Sequence, residues 1–263
     1  MTELVKRQDA EGIATLTLTA PERLNALSDA MLAALQDHID HLAEDVSTRV
    51  VVLKGAGRAF CAGHDLKEMQ AKRADADGGA KAIKDLFDRC GRMMIGLQRL
   101  PQPVIAQVHG IATAAGCQLV ATADLAVAAK TAKFGVNGVN IGLFCSTPMV
   151  ALTRNIPRKA AFEMLTTGSM ISASRAQELS LVNKVVPEAN LDAATQELAE
   201  TIAGKLGAAV AIGKQAFYEQ AQMSLSDAYA YTGDVMVQNM GLRDTDEGIT
   251  AFLEKREPDW SET

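Results

Sequence analysis

Residues 112–125 read ATAAGCQLVATADL, a run of small residues followed by one amide side chain, and this stretch decides how the fold is interpreted. It follows PVIAQVHG at 103–110, which is typical of a buried strand, and it leads into DLAVAA at 124–129, which is typical of another. The run AAG at 114–116 lies where a short helix should begin. Larger residues would bury more apolar surface, so small ones here indicate that the backbone must approach something closely.

A second predicted strand end carries a similar sequence. RVVVLKGAG at 49–57 is a β-branched run closed by glycines, and Ala62, Gly63, His64 and Asp65 follow shortly before a predicted helix. Glycines after a strand leave backbone N–H groups pointing outward. Two such strand ends can direct two N–H groups at one oxygen atom, which is the geometry of an oxyanion hole.

Strands and helices alternate over the first two thirds of the chain. GIATLTLTAP at 12–21 predicts a strand, and the segment 28–46 predicts a helix with Ser28 as its N-cap. A further helix is predicted over 80–99. This alternation favours an α/β fold, while only helical patterns follow residue 188. We therefore expect a core over 1–190 and a helical region over 191–263. The apolar face predicted for the first helix consists of Met31, Leu35, Ile39, Leu42 and Val46.

Composition excludes several classes of protein. The 263 residues carry a net charge of −6 and no Lys/Arg cluster longer than a pair, so binding to nucleic acid or to an anionic membrane is not expected. No apolar run is long enough for a membrane span, and the N-terminus does not resemble a targeting peptide, which predicts a cytoplasmic protein. The four cysteines lack metal-ligand spacing and are expected to be buried apolar residues.

Three segments resemble the enoyl-CoA hydratase/isomerase family, also called the crotonase superfamily. They are GAGRAFCAGHDLKEM at 55–69, the stretch 108–142 that contains ATAAGCQLVATADL, and DEGITAFLEKREP at 246–258. The resemblance implies a ββα-spiral core with helical C-terminal trimerisation elements, assembled as a trimer or a dimer of trimers. It also implies an acyl group bound as a coenzyme A thioester, with no metal and no tightly bound cofactor.

The resemblance assigns roles to individual residues. The two oxyanion-hole N–H groups map to His64 and Ala115, and both are backbone donors. The residues that it places along coenzyme A are Leu24, Asn25, Ala26, Ala62 and Lys67, with Phe252 and Lys255 approaching a neighbouring subunit's ligand.

The chain departs from the family at both catalytic carboxylates. Hydratases of this family use two glutamates, and their positions are occupied here by Gln118 and Gly138. A glutamine amide can orient water but takes no proton near neutral pH, and glycine offers only its backbone. Each lost acid or base costs a rate factor on the order of 10² to 10⁴, so efficient hydration is not expected.

Three classes of function remain open. One is an unconventional acyl-CoA enzyme such as a malonyl-type decarboxylase, because decarboxylating relatives also carry Ala-Gly-His-Asp, although they have Tyr near the position of Cys145. The others are a slow vestigial hydratase and a non-catalytic acyl-CoA-binding protein. For Asp65 the sequence favours a helix N-cap, and for Cys145 a packing role. Asn137 and Asn140 fit either a turn or polar contacts to a ligand.

Overall fold

The computed structural model describes residues 3–260, and its strands form two sheets. The first sheet has six strands, which in spatial order are β1 (Val5–Ala10), β2 (Ile13–Leu18), β3 (Val50–Gly55), β5 (Val104–Val108), β7 (Leu125–Ala129) and β10 (Lys184–Val186). The second sheet has four, in the order β4 (Ala59–Cys61), β6 (Ile111–Thr113), β8 (Lys133–Gly135) and β9 (Ile171–Ser172).

Parallel pairing brings the strand ends to common edges. Only β1 and β2 pair antiparallel in the first sheet, and each later neighbour is parallel, with Leu53 opposite Ala106 and Ala106 opposite Ala126. The chain then passes from β3 to β4, from β5 to β6 and from β7 to β8, so each step links the two sheets before a helix follows. This repeated unit is the ββα spiral that the resemblance implies.

Helices of the core pack against these sheets. In the first of them, the Ser28 hydroxyl accepts the Met31 N–H at 3.1 Å, which confirms the predicted N-cap. The predicted face is buried except for Val46, which is 88% exposed. The helix ends at Ala43 and a turn follows, in which the Asp45 carboxylate accepts the Ser47 N–H, so Val46 no longer shares the helical face. These helices are α1 (Asp29–Ala43), α2 (Leu66–Lys72), α3 (Ala80–Arg99), α4 (Ala115–Thr122), α5 (Pro148–Asn155), α6 (Arg158–Thr167) and α7 (Ala173–Glu178).

The chain after β10 is helical as far as the structure describes it, in agreement with the sequence pattern. Leu191 and Ala199 of the first of these helices are buried against Val50 and Val127 of the six-stranded sheet. The division at residue 190 stays a prediction. Within residues 3–260, no helix has both the length and the apolar character required to cross a membrane. The C-terminal helices are α8 (Leu191–Ala203), α9 (Gly207–Gln220), α10 (Leu225–Met240) and α11 (Arg243–Glu254).

A buried ion pair attaches α9 to the core. Lys214 Nζ lies 2.7 Å from a carboxylate oxygen of Asp124 and donates to the carbonyl oxygens of Leu97 and Gln102 at 3.1 and 2.9 Å. The other oxygen of Asp124 accepts the Tyr218 hydroxyl at 2.7 Å. Burial lowers the pKa of Lys214, and the Asp124 carboxylate opposes that change. Since each charge has a buried partner, removal of one leaves the other uncompensated.

We expect Lys214→Ala to lower the free energy of unfolding by about 3 kcal/mol, because it leaves the Asp124 carboxylate buried without its cation. Equilibrium unfolding in urea measures this change. The matched control is Lys184→Ala, which breaks an exposed pair with Glu197 at 3.2 Å and should change the free energy by less than about 1 kcal/mol. Equal losses in the two variants would contradict the assignment.

Candidate functional site

Two glycines allow the ends of β4 and β6 to pack closely. Gly63 has a φ of +88°, and a Cβ there would lie 2.8 Å from Ala114 Cβ and 3.1 Å from Ala115 N. A Cβ on Gly116 would lie 2.0 Å from the Cys61 carbonyl oxygen. Larger residues at these positions would therefore push the two segments apart, which explains the run of small residues in 112–125.

This close approach brings two backbone amides into one site. Leu27 and His64 form an isolated parallel β-bridge, in which the Leu27 N–H donates to the Gly63 carbonyl and the Asp65 N–H donates to the Leu27 carbonyl. The His64 N–H takes no part in this bridge. Ala115 is the first residue of α4, where N–H groups have no partner within the helix, and the N-cap residue Ala114 offers no side-chain acceptor. Ala114 itself has φ 50° and ψ −119°, a strained conformation for a residue with a Cβ.

A cavity of about 810 Å³ opens at these amides. Its volume is in the range of small-molecule sites, about 300–1,000 Å³. Its wall includes both predicted amide donors and most residues that the resemblance places along a ligand. The predicted site residues in the wall are Leu24, Ala26, Ala62, His64, Lys67, Ala115 and Gly138.

The wall also contains residues that the sequence analysis missed. Arg23 and Arg58 add positive charge beside Lys67, and Met69 and Phe87 add apolar surface. Arg23 lies in PERLN at 21–25 and Arg58 in GAGRAF at 55–60, close in sequence to the predicted site residues. A basic residue in each of these turns is the sequence signal that points to this part of the wall. Phe87 belongs to the middle of α3, and only the packing of that helix brings it to the cavity.

Asn25 does not lie in the wall, contrary to the prediction. Its side chain is fully buried, where Oδ1 accepts the Ala20 N–H at 3.0 Å and Nδ2 donates to the carbonyls of Ala56 and Ala59 at 2.9 and 2.8 Å. Because its amide is already bonded to the backbone, Asn25 holds the loop in place and its neighbours Leu24 and Ala26 form the wall.

Three further predicted site residues lie elsewhere in the single chain. Gln118 is absent from this wall and lines a second cavity. Phe252 is 81% exposed on α11, and Lys255 is the C-cap of that helix. The roles assigned to these two residues involve a neighbouring subunit and stay predictions.

The His64 imidazole is a neutral group in the cavity wall. Its ring packs edge to face on Phe87 with 5.4 Å between the centroids. Nδ1 lies 3.4 Å from the Leu27 carbonyl oxygen, which can only accept, so the hydrogen of this contact is on Nδ1. Nε2 is buried without a partner among residues 3–260. Burial lowers the pKa of His64 below its usual value, and the ring is therefore uncharged at pH 7.

Asp65 is the N-cap of α2, as predicted. Its Oδ1 accepts the N–H groups of Lys67 and Glu68 at 2.9 and 3.1 Å, and Oδ2 pairs with Arg23. Burial alone would raise the pKa of Asp65, but the Glu68 N–H and the Arg23 guanidinium outweigh it and the pKa is lowered. A carboxylate held in this way is a poor proton acceptor near neutral pH.

The polar residues near Gly138 are largely bonded to protein groups. Cys145 Sγ accepts the Gly138 N–H at 3.4 Å, and burial raises the pKa of this thiol. The Thr113 hydroxyl donates to Asn137 at 2.6 Å, and Asn140 donates to the Gly168 carbonyl at 3.3 Å. These contacts fit the predicted packing role of Cys145. As predicted, all four cysteines are buried, and they are free thiols.

Comparisons with known proteins agree with this fold. The enoyl-CoA hydratase/isomerase family model matches residues 8–263. The chain is 47% identical over 251 residues to human enoyl-CoA hydratase domain-containing protein 3, mitochondrial. The aligned region covers 95% of this chain and 81% of the human protein. The crystal structure of an enoyl-CoA hydratase from Mycobacterium smegmatis is 54% identical, covers 98% of both chains and gives a TM-score of 0.94. The crystal structure of the human protein, 45% identical, covers 98% of this chain and all of that one with a TM-score of 0.93.

These relatives contradict the predicted cytoplasmic location. The human, Xenopus laevis and mouse relatives are all named as mitochondrial proteins. The prediction relied on the lack of targeting features in the N-terminal residues. A targeting signal that a receptor recognises cannot be inferred from the composition of a folded domain. The predicted crotonase-like α/β fold, in contrast, is confirmed by the solved relatives. The match of the family model over nearly the whole chain, on a fold shared with these structures, shows that the chain belongs to the enoyl-CoA hydratase/isomerase family.

Proposed function

We propose that this protein binds an acyl-CoA thioester with the thioester carbonyl oxygen between the N–H groups of His64 and Ala115. The observation that carries the proposal is the approach of Gly63 to Ala115, which puts two backbone donors without an acceptor among residues 3–260 into the wall of one cavity. Such donors stabilise the negative charge that develops on a thioester oxygen in an enolate or a tetrahedral intermediate. Both belong to the backbone, so no particular side chain is required at either position.

The composition of the cavity wall supports this class of ligand. Arg58 and Lys67 contribute positive charge and suit the phosphates of coenzyme A, while the charge of Arg23 is paired with Asp65 and Glu68. Met69 and Phe87 contribute apolar surface and suit an acyl group. Coenzyme A then enters only as part of the thioester.

We further propose that the protein is not an efficient hydratase, because the described wall of the cavity offers no buried carboxylate that is free of partners. Two carboxylates belong to the described wall, Glu22 and Asp65. Asp65 has both oxygens bonded, and Glu22 is exposed on the 3-10 turn at 21–23. The amide of Gln118 cannot take a proton from water near neutral pH.

The position of the second glutamate is also closed to a side chain. A Cβ on Gly138 would lie 2.4 Å from the Leu143 carbonyl oxygen and 2.9 Å from Cys145 Sγ. The Leu143 carbonyl in turn belongs to a loop held by the bond from its own N–H to the Gly138 carbonyl at 2.9 Å. A glutamate at 138 would therefore require this loop to move.

We expect Gly138→Ala to lower the free energy of unfolding by about 1–3 kcal/mol, the cost typical of overpacking. Urea unfolding measures it. The control Gly213→Ala adds the same methyl group in the interior of α9, where nothing lies within 4 Å, and should raise the free energy by up to about 1 kcal/mol. If both variants proved equally stable, the loop at 138–145 would have room for a side chain.

The wild type should hydrate crotonyl-CoA at a rate on the order of 10⁴-fold or more below a relative that carries both glutamates. Gln118→Glu should stay within about tenfold of the wild type, because residue 118 does not line the first cavity and the second carboxylate position remains closed. Loss of the conjugated thioester absorbance follows the reaction. Calorimetric titration with butyryl-CoA shows in the same preparation that the site binds ligand. Hydration at an ordinary rate would show that other groups activate water, and the proposal would be wrong.

Decarboxylation of a malonyl-type thioester is the second candidate. It is favoured by the pair of backbone donors in a wall that also contains Phe87 and the buried His64 ring, whose pKa is lowered by burial. The bond between the α-carbon and the carboxylate breaks, CO₂ leaves, and the electron pair forms an enolate that the two N–H groups stabilise. A proton from a water molecule then adds to the α-carbon and leaves hydroxide. No carboxylate base is needed in this sequence.

Release of CO₂ from malonyl-, methylmalonyl- or ethylmalonyl-CoA tests this candidate. Release by the wild type supports an unconventional enzyme, and binding of all three without turnover supports a non-catalytic acyl-CoA-binding protein. Slow hydration of crotonyl-CoA with no release of CO₂ supports the third class of function, a slow vestigial hydratase.

We propose a homo-oligomer, either a trimer or a dimer of trimers, formed through the C-terminal helices. Leu225 and Val237 of α10 and Phe252 of α11 are 77%, 73% and 81% exposed in the single chain. Apolar residues exposed in such number mark an interface in soluble proteins.

Val237→Glu combined with Phe252→Glu should reduce the assembly to monomers, because charges are then placed in an apolar interface. Light scattering after size-exclusion chromatography gives the mass. Val46→Glu is the control, since Val46 is 88% exposed but lies outside these helices, and it should leave the mass unchanged. A monomeric wild type would exclude the proposed assembly.

A further inference from the structure

Three strand ends of the four-stranded sheet lie side by side at the first cavity. β4, β6 and β8 are neighbours in this sheet and run parallel to one another. Ala115 follows the end of β6 by two residues, and Asn137 follows the end of β8 by two residues. Because neighbouring strands are about 4.8 Å apart, Asn137 is one strand further along the same edge than the proposed oxyanion donor of Ala115.

A hydrogen bond between two of these turns orients the Asn137 amide. The Thr113 hydroxyl donates to Asn137 Oδ1 at 2.6 Å. The backbone supports this contact, since the Ala114 N–H donates to the Gly135 carbonyl at 2.9 Å and fixes the two turns to each other. With Oδ1 held by Thr113, the amide nitrogen on the other side of Cγ is directed away from that residue.

The amide nitrogen of Asn137 is a free donor in the cavity wall. Neighbouring donors are occupied, because the Gly138 N–H is bonded to a thiol and Asn140 Nδ2 to a backbone carbonyl. Asn137 Nδ2, in contrast, has no acceptor in the described part of the chain. The residue is partly exposed and lines the first cavity, and Nδ2 is not enclosed by protein. A ligand in the cavity can therefore contact it with a carbonyl or carboxylate oxygen.

We propose that Asn137 selects acyl-CoA thioesters that carry an acceptor oxygen on the third carbon of the acyl group. The inference rests on the proposed function, because it requires the thioester carbonyl at the N–H groups of His64 and Ala115. The third carbon is two bonds beyond the thioester carbon and then lies beside the strand end that carries Asn137. A 3-oxo oxygen or the carboxylate of a malonyl-type thioester accepts the Nδ2 hydrogen, whereas a plain alkyl chain does not. Asn137 is accordingly a specificity-determining residue, and Thr113, which orients it, is a positioning residue.

Butyryl-CoA and acetoacetyl-CoA provide the first test, because they differ only in the carbonyl oxygen on the third carbon. Calorimetric titration of the full-length protein gives both dissociation constants. We expect the wild type to prefer acetoacetyl-CoA by about fivefold, the value of one neutral hydrogen bond. Asn137→Leu should bring the two affinities within about twofold of each other. Asn190→Leu makes the same change at an exposed position outside the cavity wall and should keep the wild-type preference.

Thr113 is tested by a pair of substitutions that separate its hydroxyl from its shape. Thr113→Val removes the hydroxyl and should reduce the preference for acetoacetyl-CoA, while the affinity for butyryl-CoA changes by less than about twofold. Thr113→Ser keeps the hydroxyl and should keep the preference. A merely structural role would weaken the binding of both thioesters equally in Thr113→Val. Circular dichroism of each variant verifies that it is folded.

Malonyl-CoA distinguishes the two sources of the oxygen. Its affinity relative to butyryl-CoA is measured in the same variants, with KM in place of Kd where CO₂ is released. If Asn137→Leu lowers this ratio but leaves the ratio for acetoacetyl-CoA unchanged, the carboxylate is the group that Asn137 selects. The opposite result assigns the 3-oxo oxygen, and a loss of both ratios assigns either oxygen.

Failure of the inference and failure of the proposed function give different results. If none of the three thioesters binds to the wild type, the proposed function is wrong and the inference is overturned with it. If they bind but neither ratio to butyryl-CoA differs among wild type, Asn137→Leu and Asn190→Leu, the proposed function stands and the assignment of Asn137 is overturned. Equal preferences in Thr113→Val and Thr113→Ser would overturn the role of Thr113.

Discussion

The packing of residues 62–64 against residues 113–116 is the constraint on which the site depends. Parallel pairing of β4 with β6 sets the two strand ends side by side, with Cys61 opposite Ala112. Gly63 and Gly116 then allow backbone to lie against backbone at distances that any Cβ would prevent. The proposed oxyanion donors, the adjoining wall of the first cavity and the start of α4 all depend on this contact. Even the strained φ of Ala114 belongs to the same turn.

A site built from backbone donors can keep its binding geometry while its side-chain chemistry changes. The His64 and Ala115 N–H groups need only the correct fold, whereas proton transfer needs particular side chains in particular places. In the proposed assignment Gln118 and Gly138 replace the two carboxylates of the family, and the loop around Gly138 leaves no room for a side chain at that position. Family membership therefore fixes the fold and the expected class of ligand more firmly than it fixes the reaction.

The two cavities connect this chemistry to the stability of the C-terminal region. Lys214 and Asp124 hold α9 against the core, and α9 forms one wall of the second cavity. A buried ion pair contributes little net stability but strongly disfavours any position of α9 that separates the charges. The ion pair near the middle of α9 thus determines where this wall of the cavity lies.

Features that depend on neighbours in sequence were predictable from the sequence. The Ser28 and Asp65 N-caps, the extent of α3 and the helical C-terminal region follow from local hydrogen bonds and apolar periodicity. The small residues at 114–116 likewise predict that the backbone approaches another group closely, although they do not identify the segment that it approaches. Local signals failed at Val46, where the chain leaves the helix through a turn.

Residue identity and spacing alone predict the α/β fold and its strand ends, and they are the basis of our proposal that Gln118 and Gly138 replace the two glutamates of the family. Only the tertiary structure decided that Asn25 holds a loop, that Phe87 and Arg58 line the first cavity and that Gln118 lines the second. These outcomes depend on how helices distant in sequence pack against one strand end. No local pattern encodes that packing, since it results from the contacts of the whole core.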